Sequence, residues 1–366
     1  MKFEAKLVAA LGVLLCVGLL FTFEYLPVDS AQTGYRGTGM AQIVNRRAAT
    51  KAFEGLRTPD VPDALPPSGK KASEVYTNVK VLGDVDSDEF IRLMAAITEW
   101  VSPAAGCAYC HKDGEELSAD TLYSKVVARR MLEMTRHING TWKTHVGDAG
   151  VTCYTCHRGN PVPPNVWSKT DEENRTVGML GNNAGQNMPA RSVGLSSLPA
   201  DPFSDFLLYA NEIRVVSKTA LPESSQSLIK QTESTYGLMM HMSQALGVNC
   251  TFCHNSRSFS SWDQSSPKRA TSWYGIRMVR NLNMTYIEPL KATLPAARLG
   301  PHGDAPKINC ATCHQGAFKP LYGNSQLSGF PELSSATVQG GAAPATKQPA
   351  SAPAPAPAPG PAPAKK

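Results

Sequence analysis

Cysteine and histidine are scarce in this 366-residue sequence outside a single pattern. Eight of the nine cysteines and four of the eight histidines fall in four C-x-x-C-H runs. That leaves nothing for a disulfide framework, which belongs to small chains rather than to one of this size. Also missing is a small-x-small cleavage site behind the one long apolar run; Asp29-Ser30-Ala31 is a poor substitute. The place before Cys16 holds Leu15 where lipoprotein processing needs a small residue. An anchor that stays attached is therefore expected, with a processed form as the alternative and acylation of Cys16 as a further one.

What is present is chemically specific. The runs are Cys107-Ala-Tyr-Cys110-His111, Cys153-Tyr-Thr-Cys156-His157, Cys250-Thr-Phe-Cys253-His254 and Cys310-Ala-Thr-Cys313-His314. In such a run two thiols add to the vinyl groups of a haem while the adjoining imidazole reaches the iron from one face. Zinc held by paired C-x-x-C units is the competing reading, but zinc has no need of a histidine after every second cysteine. Four covalently bound c-type haems are the expected cofactors. Their macrocycles add apolar core to a chain that is 42% hydrophobic.

Residues 7 to 23 are seventeen uncharged, mostly apolar positions behind Lys2 and Lys6. The length just suffices to span a bilayer, and the lysines favour a cytoplasmic N-terminus. The haem body is then periplasmic, outside the cytoplasmic (inner) membrane. Residues 1–25 read as the anchor, and 26–83, broken by Pro59, Pro62, Pro66 and Pro67, as an extended arm. A first dihaem half covers 84–160, a connecting segment with one helix near 203–216 covers 161–224, and a second dihaem half covers 225–325. The Pro/Ala-rich stretch 326–366 reads as a disordered tail. Pairing of the motifs follows from spacing: Cys107 to Cys153 is 46 residues and Cys250 to Cys310 is 60, but Cys156 to Cys250 is 94. The expected fold is mainly α with long irregular loops, two pseudo-repeated dihaem halves and one N-terminal transmembrane helix.

Each unit reads as helix, turn, motif. Helical spacing brings Met94, Met131 and Met239 ahead of the first three motifs, with Met134 and Met240 as close substitutes. A methionine on an apolar helical face is usually core filling. Here each motif leaves one axial face of an iron empty, and a preceding thioether can occupy it. The fourth unit, Trp273 to Leu290, carries Arg277-Met278-Val279 where the second carries Arg130-Met131-Leu132.

With FIRLMAAITEWV before CAYCH, RRMLEMTRHIN before HVGDAGVTCYTCHRG, and YGLMMHMSQALGVNCTFCHNSR, the chain resembles the tetrahaem cytochrome c subunits of purple-bacterial photosynthetic reaction centres. The likeness runs from about residue 35 to 325. It implies fifth ligands His111, His157, His254 and His314, and sixth ligands Met94, Met131 and Met239. It implies that the fourth haem takes His145. It also implies a line of haems whose third member in sequence lies nearest the special pair, and an electron-transfer protein that re-reduces the photo-oxidised pair. Implied partners are the reaction-centre L, M and H subunits, the light-harvesting antenna, and a soluble periplasmic donor, a cytochrome c or high-potential iron-sulfur protein; no nucleic acid is among them.

Spacing agrees with the bridging role of His145. Met131 and His145 are fourteen residues apart, about 21 Å along a continuous helix, so one iron cannot take both. Met278 lies thirty-six residues before His314, against twenty-six between Met131 and His157. A periplasmic reductase or quinol-oxidising cytochrome is the alternative. The first needs an open axial position and the second more distal histidines than His137, His145, His241 and His302 provide. From Asp84 to Asp120, nine carboxylates face only Arg92 and Lys112, a balance of minus seven in a chain of net charge +6. That patch is expected to steer a basic donor toward the first haem.

Overall fold

The computed structural model describes residues 2–22, 27–32, 39–54, 56, 58–170, 187–215 and 229–334. It is mainly helical, with one two-stranded sheet. Helix α1 is Lys2–Leu20. Strands β1 (Val28–Gln32) and β2 (Ala41–Asn45) pair antiparallel, Val28 opposite Asn45. Helices α2 (Arg46–Glu54) and α3 (Ala72–Val75) follow. So the arm is only partly extended.

Among the described residues no helix is long and apolar enough to cross a membrane. In α1 the apolar part starts at Leu7, after Glu4 and Lys6, and the helix ends at Leu20. Those fourteen residues span about 21 Å, short of a hydrocarbon core of about 30 Å.

Helix α4 (Ser87–Val101) starts where Asp86 accepts a hydrogen bond from the Asp88 amide, and Ser102-Pro103 stops it. Helix α5 (Tyr123–Thr141) breaks at Trp142, whose φ of −103° and ψ of 29° are not helical; the one-turn α6 (Lys143–Val146) then carries His145. Met131 and His145 are thus on separate helices. Helix α7 (Cys153–His157) is the second motif. The segment expected to be helical near 203–216 holds one π turn, Ser204–Leu208. Helix α8 is Ile229–Leu246. Helix α9 (Pro267–Leu282) begins six residues before the expected Trp273, because Ser266 caps it and Pro267 suits its first position. Helix α10 (Cys310–His314) is the fourth motif.

The even motifs are alike and differ from the odd ones. In α7 and α10 a threonine hydroxyl, Thr155 or Thr312, accepts from the amide before the motif at 3.0 Å. Both helices end in a left-handed residue, Arg158 or Gln315, and then a left-handed glycine. The odd motifs instead begin as 3-10 turns, Gly106–Tyr109 and Cys250–Phe252.

Two apolar cores result. One joins α5, Trp167, the 203–208 turn, α8 and α9. The other joins α4, α5 and Tyr154 of α7 to Leu321, Leu327, Phe330 and Leu333. The stretch expected as tail from 326 onward is therefore corrected: up to Ser334 it packs inside, with Phe330 edge-on to Trp100 at 4.8 Å. Residues 335–366 lie outside the described chain. Arg92 and Arg136 hold this segment through Gly329 and Glu332 carbonyls.

Candidate haem sites

All four motif histidines share one arrangement. The Nδ1–H of His111 donates to Leu117 O at 2.9 Å, that of His157 to Asn160 O at 2.8 Å, that of His254 to Phe259 O at 2.9 Å and that of His314 to Ala317 O at 2.9 Å. A carbonyl only accepts, so the proton sits on Nδ1 and Nε2 is left with its lone pair as the ligating atom. His145 does the same, with Nδ1 donating to Thr271 O of α9 at 2.9 Å. His137 does not: its Nε2 is engaged by Asn281 and by the Trp142 indole. The carbonyl contact therefore separates His145 from His137, which also bonds α9.

The imidazoles of His145 and His314 are neighbours, with ring centroids 6.0 Å apart and planes inclined at 72°. Two rings take about that separation when one metal lies between their nitrogens at about 2 Å from each. Both line a cavity of about 340 Å³, closed by Val146 to Thr152, Leu246, Phe252, Phe318 and Leu321, with Lys268 and Lys319 also on its wall. Size, mainly apolar lining and two imidazoles at this separation fit a haem that would be held by both histidines. Burial lowers the pKa of His145; for His314 burial, with the charge of His145 adding to it, brings the value to about 4. Both rings are neutral at pH 7, as ligation requires.

Met278 is buried in the apolar core at 7% exposure. Met94, Met131 and Met239 are only partly buried at the edges of the cores. Met134 is core.

Among the described residues no three His, Cys, Asp or Glu side chains gather to hold a metal ion. The zinc reading thus has no donor set, whereas a haem asks the protein for only two axial ligands. Burial pushes the Cys153 and Cys310 thiols up to about 12. Cys156 of α7 and Cys313 of α10 come close to each other, their Cα atoms 4.5 Å apart. Cys107, Cys110, Cys250 and Cys253 are free.

Helix packing links the motifs in a definite order. The first motif packs on α4, α4 on α7, α7 on α10, and α10 on α8. At the last junction Gly316 N donates to Ala245 O at 2.8 Å. The acidic patch is less open than its composition suggests. Asp84 pairs with Arg136, Glu89 with Arg92, Glu115 with Lys112, and Asp120 with Lys80, Lys125 and Arg129. Asp86 caps α4, and Asp88, Glu99, Asp113 and Glu116 remain exposed.

Residues 24–334 match the family model for the photosynthetic reaction centre cytochrome c subunit. The chain is 53% identical over 325 residues to the photosynthetic reaction center cytochrome c subunit of Rubrivivax gelatinosus, covering 88% of each chain. It is 46% identical over 333 residues to that of Thermochromatium tepidum, covering 90% of this chain and 82% of the relative. The Roseobacter denitrificans subunit is 41% identical over 323 residues, with 83% and 85% covered.

Proposed function

Since the chain belongs to the photosynthetic reaction centre cytochrome c subunit family, we propose a ligand set and a layout through which it serves that role. The protein is an electron-transfer component of the reaction centre and not an enzyme; it carries covalently bound haem c and associates with the photosynthetic membrane. The haems number four, held as thioethers by Cys107 and Cys110, Cys153 and Cys156, Cys250 and Cys253, Cys310 and Cys313. Their axial pairs are His111 with Met94, His157 with Met131, His254 with Met239, and His314 with His145. The neighbouring His145 and His314 rings carry this reading most directly. Bound haem c supplies reversible one-electron chemistry at iron.

The side chains do the rest. Carbonyl-held Nδ1–H groups fix each imidazole and raise its basicity. With two side chains to hold each haem, no position at the iron would be left for a substrate, which would suit electron transfer rather than bond making. Three thioether sites and one double-imidazole site set unequal potentials. The shared form of the odd motifs and of the even ones supports two repeated dihaem halves. The packing order supports sites arranged one, two, four, three. The Ala41 amide meets Thr251 Oγ1 at 3.3 Å, so the arm leading from α1 reaches the third unit. That contact supports site three as the end nearest the membrane and the special pair, with L, M, H and antenna subunits beside it. The apolar run 7–23, exposed along its described side chains and continuing past the end of α1, attaches the chain to the membrane, and the soluble donor meets site one.

Haem per chain of four, with equal intact mass before and after reduction, is the expected result; a bond between Cys156 and Cys313 in the isolated protein contradicts the thioether assignment. Replacing His145 with Met should raise one midpoint potential and leave three in place. If Met278→Leu shifts one instead, the axial assignment is wrong.

A further inference from the structure

We infer that Gly275 is the positioning residue that seats His145 for ligation; this deepens the proposed His145–His314 site and rests on it. Gly275 lies in the interior of α9, buried, where glycine is a poor helix former. Its φ is not in the left-handed region, so the backbone itself does not call for glycine. What calls for it is the ring of His145. A Cβ placed on Gly275 would stand 2.5 Å from His145 Cε1, 2.9 Å from Nδ1 and 3.2 Å from Nε2. The imidazole therefore lies against the bare helix.

The same bare position exposes the hydrogen-bond partner. Side chains on a helix lean toward its N-terminus, so the residue at 275 covers the carbonyl one turn earlier, that of Thr271. With no side chain there, His145 Nδ1–H reaches Thr271 O at 2.9 Å, and the ring turns toward His314. Helix α6, which carries His145, packs on α9. At the matching place in the second unit, three residues before Met131, stands Ala128. The fourth unit thus offers a seat for another unit's imidazole where the second offers its own thioether, and Met278 is turned into the core.

The test uses the full-length, haem-loaded subunit in its membrane. Gly275→Ala should abolish or shift the low-spin electron paramagnetic resonance signal of the double-imidazole iron and move one midpoint potential, leaving three. Gly237→Ala is the control: it too is a buried helix glycine, but its new Cβ would meet Pro202 and Val193 and no histidine. It should leave spectrum and potentials unchanged. If Gly275→Ala fails to assemble, the cycle with His145→Ala decides: alanine at 275 should lower the melting temperature with His145 present and not lower it without the ring. An unchanged signal in Gly275→Ala, or an equal loss in both backgrounds, overturns the seat. Should His145→Met shift one haem while Gly275→Ala shifts none, the seat falls and the ligand assignment stands; should neither shift any, both fall.

Discussion

The imidazoles of His111, His157, His254, His314 and His145 each have Nδ1–H tied to a backbone carbonyl, and the first four sit in motifs that the sequence alone makes plain. Haem attachment needs two thiols and an imidazole within five consecutive residues, so that chemistry is written locally. The carbonyls of Leu117, Asn160, Phe259 and Ala317 lie three to six residues downstream, and only the fold turns them toward the rings. His145 differs because its carbonyl is 126 residues away, on α9. The one sequence sign of that contact is a glycine inside a helical pattern, at 275. His241 provides a separate check at this scale. It is buried against Phe203, its Nε2 without a hydrogen-bond partner, and burial lowers its pKa to about 4. The unfolded chain binds the proton near pH 6.5 and the folded chain only near 4, so stability is complete above 6.5 and falls as pH drops through that window. His241→Phe should remove up to about 3 kcal/mol of that acid loss, measured by denaturant unfolding at pH 7 and pH 4.5. A pH slope identical to that of the parent would show that His241 is not the titrating group.

Element ends are where sequence patterns mislead. Proline and alanine dominate the last forty residues, yet Leu327, Phe330 and Leu333 within the start of that stretch are buried against α4 and α5. These apolar residues recur every three positions, but glycine and proline between them hold the pattern to single 3-10 turns, too short to read as an element. Their burial comes from a groove between elements more than 180 residues earlier. A chain ending at Gln326 should be less stable than one ending at Ser334 by roughly 5 kcal/mol, from three apolar side chains at about 1.5–3 kcal/mol each. Equal thermal midpoints for the two truncations would contradict the packing. The break at Trp142 is a second case. Gly140 is the visible candidate for ending α5, but it stays helical, and the turn comes two residues later, where the Trp142 indole bonds His137.

For the whole molecule, the proposed layout takes the motifs in the order one, two, four, three, with the first at one end of the series. There Leu117, whose carbonyl holds His111, is 68% exposed and follows the exposed Asp113 and Glu116 in the chain. Ion pairs within the protein consume most of the other carboxylates nearby. Asp113→Lys with Glu116→Lys should slow bimolecular reduction by a basic donor and flatten its salt dependence, since exposed charges of one sign steer association and are screened over about 10 Å. An unchanged rate and salt slope in stopped-flow or flash measurements would place docking elsewhere. By itself the sequence determined the four attachment motifs, the methionine helices ahead of three of them, and through these the class of protein, because all are contiguous patterns set by covalent chemistry and helical period. Tertiary structure alone decided which carboxylates stay open, that 326–334 belongs to the core, and that a histidine of the second unit lies beside His314. Each of those depends on side chains brought together from distant parts of the chain, and local spacing carries no record of who the neighbour will be.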